Sequence, residues 1–175
     1  IFSTEQEKMG DATPDFTMSF FNDITFAKKL TFSVQVDWTK GGDIYNGTKQ
    51  RMYFNRTHGD LDTPIPVDNK NLPYTKYYVS LYNKGQATSY FIEDGSYVRV
   101  RNVSLSYDMT DILKETFIKG LTLTASVRNL LTFTNYSGLD PEAVGVSLNN
   151  PLYRGIDLYT FPNMRTVTMA LNVRF

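Results

Sequence analysis

The sequence predicts an all-β fold. We expect this chain to be part of a transmembrane antiparallel β-barrel. Three observations predict it. Apolar and polar residues alternate in several segments, those segments have roughly the 9 to 11 residues that a tilted strand needs to cross a bilayer, and the connections between them are alternately short and long. The clearest segment, residues 165–175, has one continuously apolar face and one polar or small face, because side chains in a strand point to opposite sides in turn.

The composition excludes several other classes. The chain has 175 residues, a formal net charge of zero, no cysteine, and 12 Tyr, 12 Phe and 1 Trp. Balanced charge leaves no basic stripe, so no nucleic-acid partner is expected. Without cysteine there is no disulfide framework or thiolate metal site, and no apolar run approaches the 18 or so residues of a membrane helix. The high aromatic content suits the girdles of a membrane barrel.

The first two predicted strands, residues 15–26 and 30–38, form a hairpin. Both alternate, and the apolar stripe of the second ends at Trp38. The turn between them, residues 27–29, is very short and carries two lysines. A tight turn between two alternating segments is the sequence pattern of a β-hairpin.

A long connection, residues 39–96, follows the hairpin. It is rich in glycine, proline and Asn-Gly turn signals, and we expect a short helix at 48–54 and an extended stretch at 77–82 within it. Loops of this length are unusual inside compact soluble domains but ordinary on one side of a large barrel.

Three further strands are predicted at residues 97–109, 120–132 and 165–175. A medium connection, 110–119, joins the first two, and a long one, 133–163, leads to the last. Five strands cannot close a barrel, because an open sheet edge in hydrocarbon leaves backbone groups unpaired. We therefore expect more strands in an amino-terminal part that is missing from this sequence.

The apolar parity of each strand defines the residues expected to face lipid. They are Phe32, Val34, Val36, Val103, Leu105, Leu121, Leu123, Val127, Val167, Met169, Leu171 and Val173. Strict alternation also puts Arg99 and Arg101 on this face. An arginine facing lipid at the bilayer midplane costs about 2 to 4 kcal/mol, so we expect that end of the strand to project beyond the hydrocarbon. If short turns lie in the periplasm and long loops outside the cell, the carboxyl terminus at Phe175 is periplasmic.

Candidate catalytic groups are sparse. His58 is the only histidine and lies in a His-Gly-Asp turn without a second histidine or a cysteine. Two acidic pairs, Glu93 with Asp94 and Asp140 with Glu142, lie in loops rich in glycine or proline, and no nucleophile and base accompany them. We expect no enzymatic activity, bound metal or cofactor.

Several short sequence stretches, taken in their order along the chain, carry a family resemblance. They are residues 14–17 (PDFT), 42–46 (GDIYN), 94–107 (DGSYVRVRNVSLSY), 127–142 (VRNLLTFTNYSGLDPE), 155–157 (GID), and an ending with FP at 161–162, RTVT at 165–168 and LNVRF at 171–175. In this order they resemble the carboxyl-terminal region of SusC/RagA-family TonB-linked outer-membrane proteins. The terminal Phe175, with Met169, Leu171 and Val173 at every second position before it, also looks like the assembly signal of outer-membrane barrels.

The resemblance implies that residues 1–175 are the last five strands of one barrel domain of about 22 strands, whose earlier strands and amino-terminal plug lie outside this chain. It implies import of a large nutrient, commonly a glycan or peptide, across the outer membrane of a Gram-negative bacterium. The implied partners are a SusD-like surface lipoprotein that covers the extracellular mouth, the TonB complex acting through the missing amino-terminal part, outer-membrane lipid and lipopolysaccharide, and the barrel-assembly machinery.

Ligand contact is expected from aromatic and polar residues of the long loops, because aromatic faces stack on sugars and on peptide side chains. The candidates are Asp43, Tyr45, Tyr53, Tyr77, Tyr78, Tyr136, Asp140, Tyr153 and Arg154. For any one of them, packing within the loop or contact with the lid is the more common role. Two other classes stay open: a barrel that serves as a scaffold or assembly subunit without transport, and a soluble extracellular β-sandwich that binds glycans.

Overall fold

A computed structural model describes residues 7–62, 65–67, 70–72, 88–113, 117–145 and 153–175 of the chain. Those residues form strands joined by one α-helix and short 3₁₀ turns. The strands are β1 (Pro14–Phe26), β2 (Leu30–Gly41), β3 (Asp43–Asn46), β4 (Ile65–Val67), β5 (Lys70–Leu72), β6 (Ile92–Asp94), β7 (Tyr97–Asp108), β8 (Gly120–Thr134), β9 (Ile156–Asp157) and β10 (Thr166–Arg174). The helix α1 is Gly47–Asn55, and the 3₁₀ turns are Gly59–Asp62, Ser89–Phe91 and Thr110–Leu113.

The chain divides into two compact units, each made of three separate stretches. The strand unit contains residues 15–40, 96–134 and 163–175, and the loop unit contains residues 1–14, 41–95 and 135–162. The first unit contains the five predicted strands, and the second contains most of the two long predicted connections. Within the described ranges, no helix is long and apolar enough to cross a membrane.

The strand unit is one five-stranded sheet in which sequence neighbours are also spatial neighbours, in the order β1-β2-β7-β8-β10. The pairs β2 with β7, β7 with β8, and β8 with β10 are all antiparallel. All five predicted strands are confirmed, with ends within three residues of the predicted ones. The fold is therefore all-β and antiparallel in this unit, as predicted.

The register carries the apolar and polar alternation across the whole sheet. One row of paired residues runs through four strands as Val34, Val103, Val127 and Val167. The adjacent row runs as Ser33, Ser104, Ser126 and Thr168. Since neighbouring rows point to opposite faces, the sheet has one apolar face and one face rich in hydroxyl groups.

A β-bulge interrupts β7 at Arg101. Along β2, Gln35 pairs with Asn102 but the next residue, Val36, pairs with Val100. Two residues of β7 therefore advance while β2 advances by one, which leaves Arg101 as the extra residue of the bulge. Because β2 alternates regularly here, the bulge keeps Val100 on the apolar face together with Val36.

The bulge corrects the predicted facing of two arginines. Beyond it, Arg99 pairs with Asp37, whose side chain shares the polar face with Gln35. The expectation that Arg99 and Arg101 share the apolar face is wrong, because strict alternation does not continue through a bulge. In β8 the register shifts at the same level, next to Asn129, which has a φ of 52°.

The loop unit is built on a small sheet in the order β6-β3-β9, in which β3 is antiparallel to β6 and parallel to β9. Helix α1 directly follows β3, and the Asn46 side chain caps it by accepting a hydrogen bond of 2.8 Å from the Lys49 backbone amide. The predicted short helix at 48–54 is thus confirmed. The extended stretch expected at 77–82 lies outside the described residues.

Candidate functional site: two faces of a sheet and a loop centre

The apolar face of the five-stranded sheet is open rather than covered. All twelve residues predicted to face lipid are half-buried or exposed, and on β10 Met169 is 79% and Leu171 is 62% exposed. The buried apolar residues of the described ranges are Ile44, Tyr53, Phe91, Tyr136 and Ala143, all in the loop unit. A soluble β-sandwich buries the apolar faces of its sheets against each other, so this distribution argues against that alternative.

The opposite face of the sheet presents hydroxyl groups that bond across strands. The Ser106 and Thr124 hydroxyls lie 2.9 Å apart, and those of Thr25 and Thr31 lie 3.2 Å apart. Such pairs satisfy side chains that a hydrocarbon solvent would leave without partners. This face is suited to water or to other polar groups.

A charged cluster lies on the polar face at the level of the bulge. Nε of Arg101 donates to Asp37 at 2.6 Å, and the amide of Gln35 donates to the same carboxylate at 3.1 Å. The guanidinium of Arg101 also reaches the side-chain oxygen of Asn129 at 3.4 Å. The Arg101 and Asp37 side chains are 20% and 16% exposed, so the pair is largely removed from water. The bulge therefore brings a cation to a buried carboxylate.

The loop unit has a polar centre around Glu93. Its carboxylate accepts from the Lys49 ammonium at 3.0 Å and from both the backbone amide and the hydroxyl of Ser137 at 2.7 Å. The Asn46 amide donates to it at 3.3 Å. Burial acts to raise the pKa of Glu93, but the hydrogen bonds from Ser137 and Lys49 outweigh it and hold the pKa below its ordinary value.

A second carboxylate, Asp157, ties β9 to the helix and to the last long loop. It accepts from Thr48 at 2.9 Å, from the Tyr136 phenol at 2.5 Å and from Thr160 at 2.9 Å. Burial and then the bond to Asp157 raise the pKa of Tyr136 far above its ordinary value, so the phenol stays a proton donor.

The glycine that precedes β9 has a conformation that other residues rarely adopt. Gly155 has a φ of 76°, and its carbonyl accepts from the Tyr45 backbone amide at 2.7 Å. It thereby starts the parallel pairing of β9 with β3. The sequence stretches GDIYN, NYSG and GID, together with Glu93 just before DGSY, thus meet in one hydrogen-bonded centre.

The predicted ligand-contact residues divide into inner and outer ones. Tyr53 is fully buried and donates to Asp60 at 2.5 Å, and Tyr136 and Asp140 are also buried. These three lie inside the loop unit. Tyr45 is half-buried with its phenol on Gln50, and Tyr153 and Arg154 are exposed.

Three further predicted residues complete this set. The Asp43 carboxylate is half-buried and accepts from the Asp11 backbone amide at 2.8 Å. Tyr77 and Tyr78 lie outside the described residues. Ligand contact therefore stays a prediction. Among the described members of this set, the residues available for it without rearrangement are Tyr153, Arg154 and, in part, Tyr45 and Asp43.

Sequence reasoning missed the structural importance of Asn46, Glu93 and Asp157. Their partners are distant in sequence, so no local pattern indicates them. The one available signal was their position within or beside the stretches that carry the family resemblance. No group of three or more His, Cys, Asp or Glu side chains in the described part of the chain is arranged to hold a metal ion.

Sequence comparison identifies relatives over the full length of the chain. It is 34% identical over 181 residues to TonB-dependent receptor P3 of Formosa agariphila, with 100% of this chain and 18% of that protein covered. TonB-dependent receptor P39 of the same organism is 35% identical, with 95% and 17% covered. SusC of Bacteroides thetaiotaomicron is 30% identical over 90 residues, covering 50% of this chain and 8% of SusC. No family model matches.

Comparison of folds finds solved structures that share the fold of this chain. The chain superposes on a chain of the RagAB peptide importer in its open-open state with a TM-score of 0.71 and 22% identity, covering 94% of this chain and 17% of that one. In the closed-closed state the TM-score is 0.71 at 21% identity, with 99% and 19% covered. The chain thus shares its fold with a segment of a much longer protein, and it spans less than a fifth of the curated relatives it matches.

Proposed function

We propose that this chain, which is related over its full length to TonB-dependent receptors and over half of its length to SusC, forms part of the wall of an outer-membrane β-barrel that imports a large nutrient. The two-faced sheet is the observation that carries the proposal. Its apolar face suits acyl chains, and its hydroxyl-rich face suits an aqueous lumen. Because the same register extends the two faces over four strands, the assignment does not depend on a single residue.

Energetics favour a membrane for this sheet. Apolar surface removed from water gains about 25 cal/mol per Å², and side chains as exposed as Met169 and Leu171 forgo that gain in an aqueous solvent. In a bilayer the same side chains are solvated by hydrocarbon. The backbone then has to be satisfied entirely by pairing between strands, which requires a closed barrel.

We place the chain as the last strands of a barrel of about 22 strands, whose remaining strands and plug belong to the rest of the protein. The short connection at 27–29, the 3₁₀ turn after β7 and the end of β10 lie at the same end of the five-stranded sheet. Lys29 pairs with Asp111 at 2.7 Å, and the Lys119 amide donates to the Arg174 carbonyl at 2.7 Å. We assign this end, and the carboxyl terminus at Phe175, to the periplasm of a Gram-negative bacterium.

The substrate class that we propose is a glycan or a peptide. The fold neighbour is named a peptide importer, and the relative SusC is named a TonB-dependent receptor. A SusD-like surface lipoprotein is the proposed lid, with energy supplied by the TonB complex through the amino-terminal part. Lipopolysaccharide and the barrel-assembly machinery are further proposed contacts.

An enzymatic role is not part of the proposal. Glu93 belongs to one of the two acidic pairs. Its carboxylate accepts hydrogen bonds from Lys49 and Ser137 within the loop centre. His58 lies beside Asp60, with its ring stacked on that of Tyr53 at 4.5 Å. The relatives are named as receptors rather than as enzymes.

Growth on polymers and on their building blocks tests the proposed import. A strain that lacks the complete receptor gene should fail to grow on one large glycan or peptide while it grows normally on the corresponding monomers, and a strain that lacks TonB should show the same defect. If the deletion strain uses every tested polymer at the wild-type rate while the TonB-deficient strain does not, the import function is refuted.

A further inference from the structure

An aromatic pair joins the end of the last strand to the connection before β8. The rings of Phe117 and Phe175 stack with centroids 5.7 Å apart and an angle of 10° between their planes. Phe117 comes shortly before β8, and Phe175 directly follows β10. The two rings remain 76% and 68% exposed, so they contact each other without being enclosed by a core.

Backbone and side-chain hydrogen bonds reinforce the same junction. The Lys119 amide donates to the Arg174 carbonyl at 2.7 Å, and the Arg174 guanidinium donates back to the Lys119 carbonyl at 3.3 Å. The Arg174 side chain lies over Gly120, where an added Cβ would come within 3.3 Å of its Nε. Lys119 and Arg174, which lie close to the two rings in sequence, thus each donate a hydrogen bond to the other.

Strand ends normally fray, because their last residues have few partners. The stack gives the end of β10 a partner that lies outside the strand pairing itself. Pairing of Arg174 with Gly120 brings the two rings together, so we expect the stack to form once β8 and β10 have paired.

We propose that Phe117 is a positioning residue for barrel assembly: it captures the ring of Phe175 once β8 and β10 have paired, and so locks the last strand in place. This inference rests on the proposed outer-membrane barrel. It adds Phe117, which lies before β8, to the residues of β10 and Phe175 that are expected to act in barrel assembly. Each ring of such a pair stabilises the fold only while the other ring is present. The effects of the two substitutions should therefore be non-additive in a double-mutant cycle.

The test is a double-mutant cycle in the complete receptor. Phe117→Ala, Phe175→Ala and the double variant are produced with Phe133→Ala as the matched control, since Phe133 is an exposed ring on β8 at the other end of the sheet. Two quantities are measured: the amount of folded barrel in the outer membrane, and the rate at which the folded barrel unfolds in lipid vesicles, followed by loss of the gel shift of the folded form. Phe117→Trp is included because it restores a stacking ring.

Each single substitution should speed unfolding by about 2- to 10-fold, because a contact made after strand pairing stabilises the folded state only. The double variant should unfold no faster than the faster single one, and Phe117→Trp should recover most of the loss. The inference is overturned if Phe117→Ala behaves like Phe133→Ala while Phe175→Ala is defective, or if the two losses multiply. Both results leave the proposed import function intact. Failure of the growth experiment would instead refute import without bearing on the stack.

Discussion

Asp37 receives a hydrogen bond of 2.6 Å from Nε of Arg101, although the two residues would lie on opposite faces if β7 alternated strictly. The single extra residue at the bulge turns the guanidinium toward the polar face. A charge that strict alternation would have placed on the apolar face is thereby paired with a carboxylate. The bulge therefore preserves the two faces of the sheet at this level.

Removing the arginine of this pair should destabilise the sheet. Arg101→Ala leaves Asp37 largely buried without its charged donor, and we expect a loss of about 1 to 3 kcal/mol in the free energy of unfolding. The measurement is urea unfolding of the complete protein in lipid vesicles. Arg128, which is exposed on the same face, provides the control, and Arg128→Ala should cost less than about 0.5 kcal/mol. Equal losses would show that the Arg101–Asp37 bond carries no specific stability.

Arginine substitutions on the two faces should have opposite outcomes. Leu123→Arg or Leu171→Arg puts a charge on the apolar face and should cost about 2 to 4 kcal/mol and reduce the folded barrel in the outer membrane. Thr122→Arg and Thr168→Arg change positions on the polar face of the same two strands and should be mild. Similar defects in both sets would contradict the assignment of the faces.

The loop centre should lose stability in mild acid. Because the pKa of Glu93 is lower in the folded state than its ordinary value of 4.5, the unfolded state takes up the proton first as the pH falls. The contribution of Glu93 is therefore complete above pH 4.5 and is lost as the pH falls from there through the folded pKa. Protection of the 135–145 segment from hydrogen exchange, taken relative to the intrinsic exchange rate at each pH, should fall in this range. In Glu93→Gln the exchange should be faster at neutral pH and should lack this pH-dependent step; an unchanged step would assign it to another group.

The Tyr136 phenol should contribute to the loop unit through one buried bond. Tyr136→Phe removes the donor to Asp157 and should lower local stability by about 1 to 3 kcal/mol, because a buried carboxylate loses one of its partners. Limited proteolysis of the loops measures the effect. Tyr153→Phe changes an exposed ring and should leave the cleavage rate unaltered, and equal cleavage of the two variants would count against the structural role of Tyr136.

The parts of the fold that the sequence predicted are those with long local patterns. The five strands of the sheet have nine or more residues each, and alternation over that length defines both the strand and its faces. Helix α1 was predicted from a shorter stretch. The bulge at Arg101 was not predictable by alternation, since one extra residue reverses the parity without changing the composition.

The loop centre was beyond prediction for a different reason. Strand β9 has two residues and β3 has four, too few for a periodic signal. Their pairing depends on contacts between distant residues, such as Thr48 with Asp157, 109 positions apart. The aromatic residues proposed for ligand contact were chosen for their chemistry, and Tyr53 and Tyr136 instead proved to be buried, because a phenol with an acidic partner is as suited to packing as to binding.

Site-directed spin labelling along β8 is the most direct test of the two-faced membrane sheet. Single cysteines at 121, 123, 125 and 127, and at 122, 124, 126 and 128, are labelled in the complete protein in lipid vesicles, and collision rates with oxygen and with a water-soluble nickel complex are compared. We expect the odd positions to collide preferentially with oxygen, which concentrates in acyl chains, and the even positions to collide with the nickel complex. If all eight positions contact the nickel complex equally, or the odd ones are shielded from both reagents as in a protein core, the sheet does not face lipid and the proposed barrel is wrong.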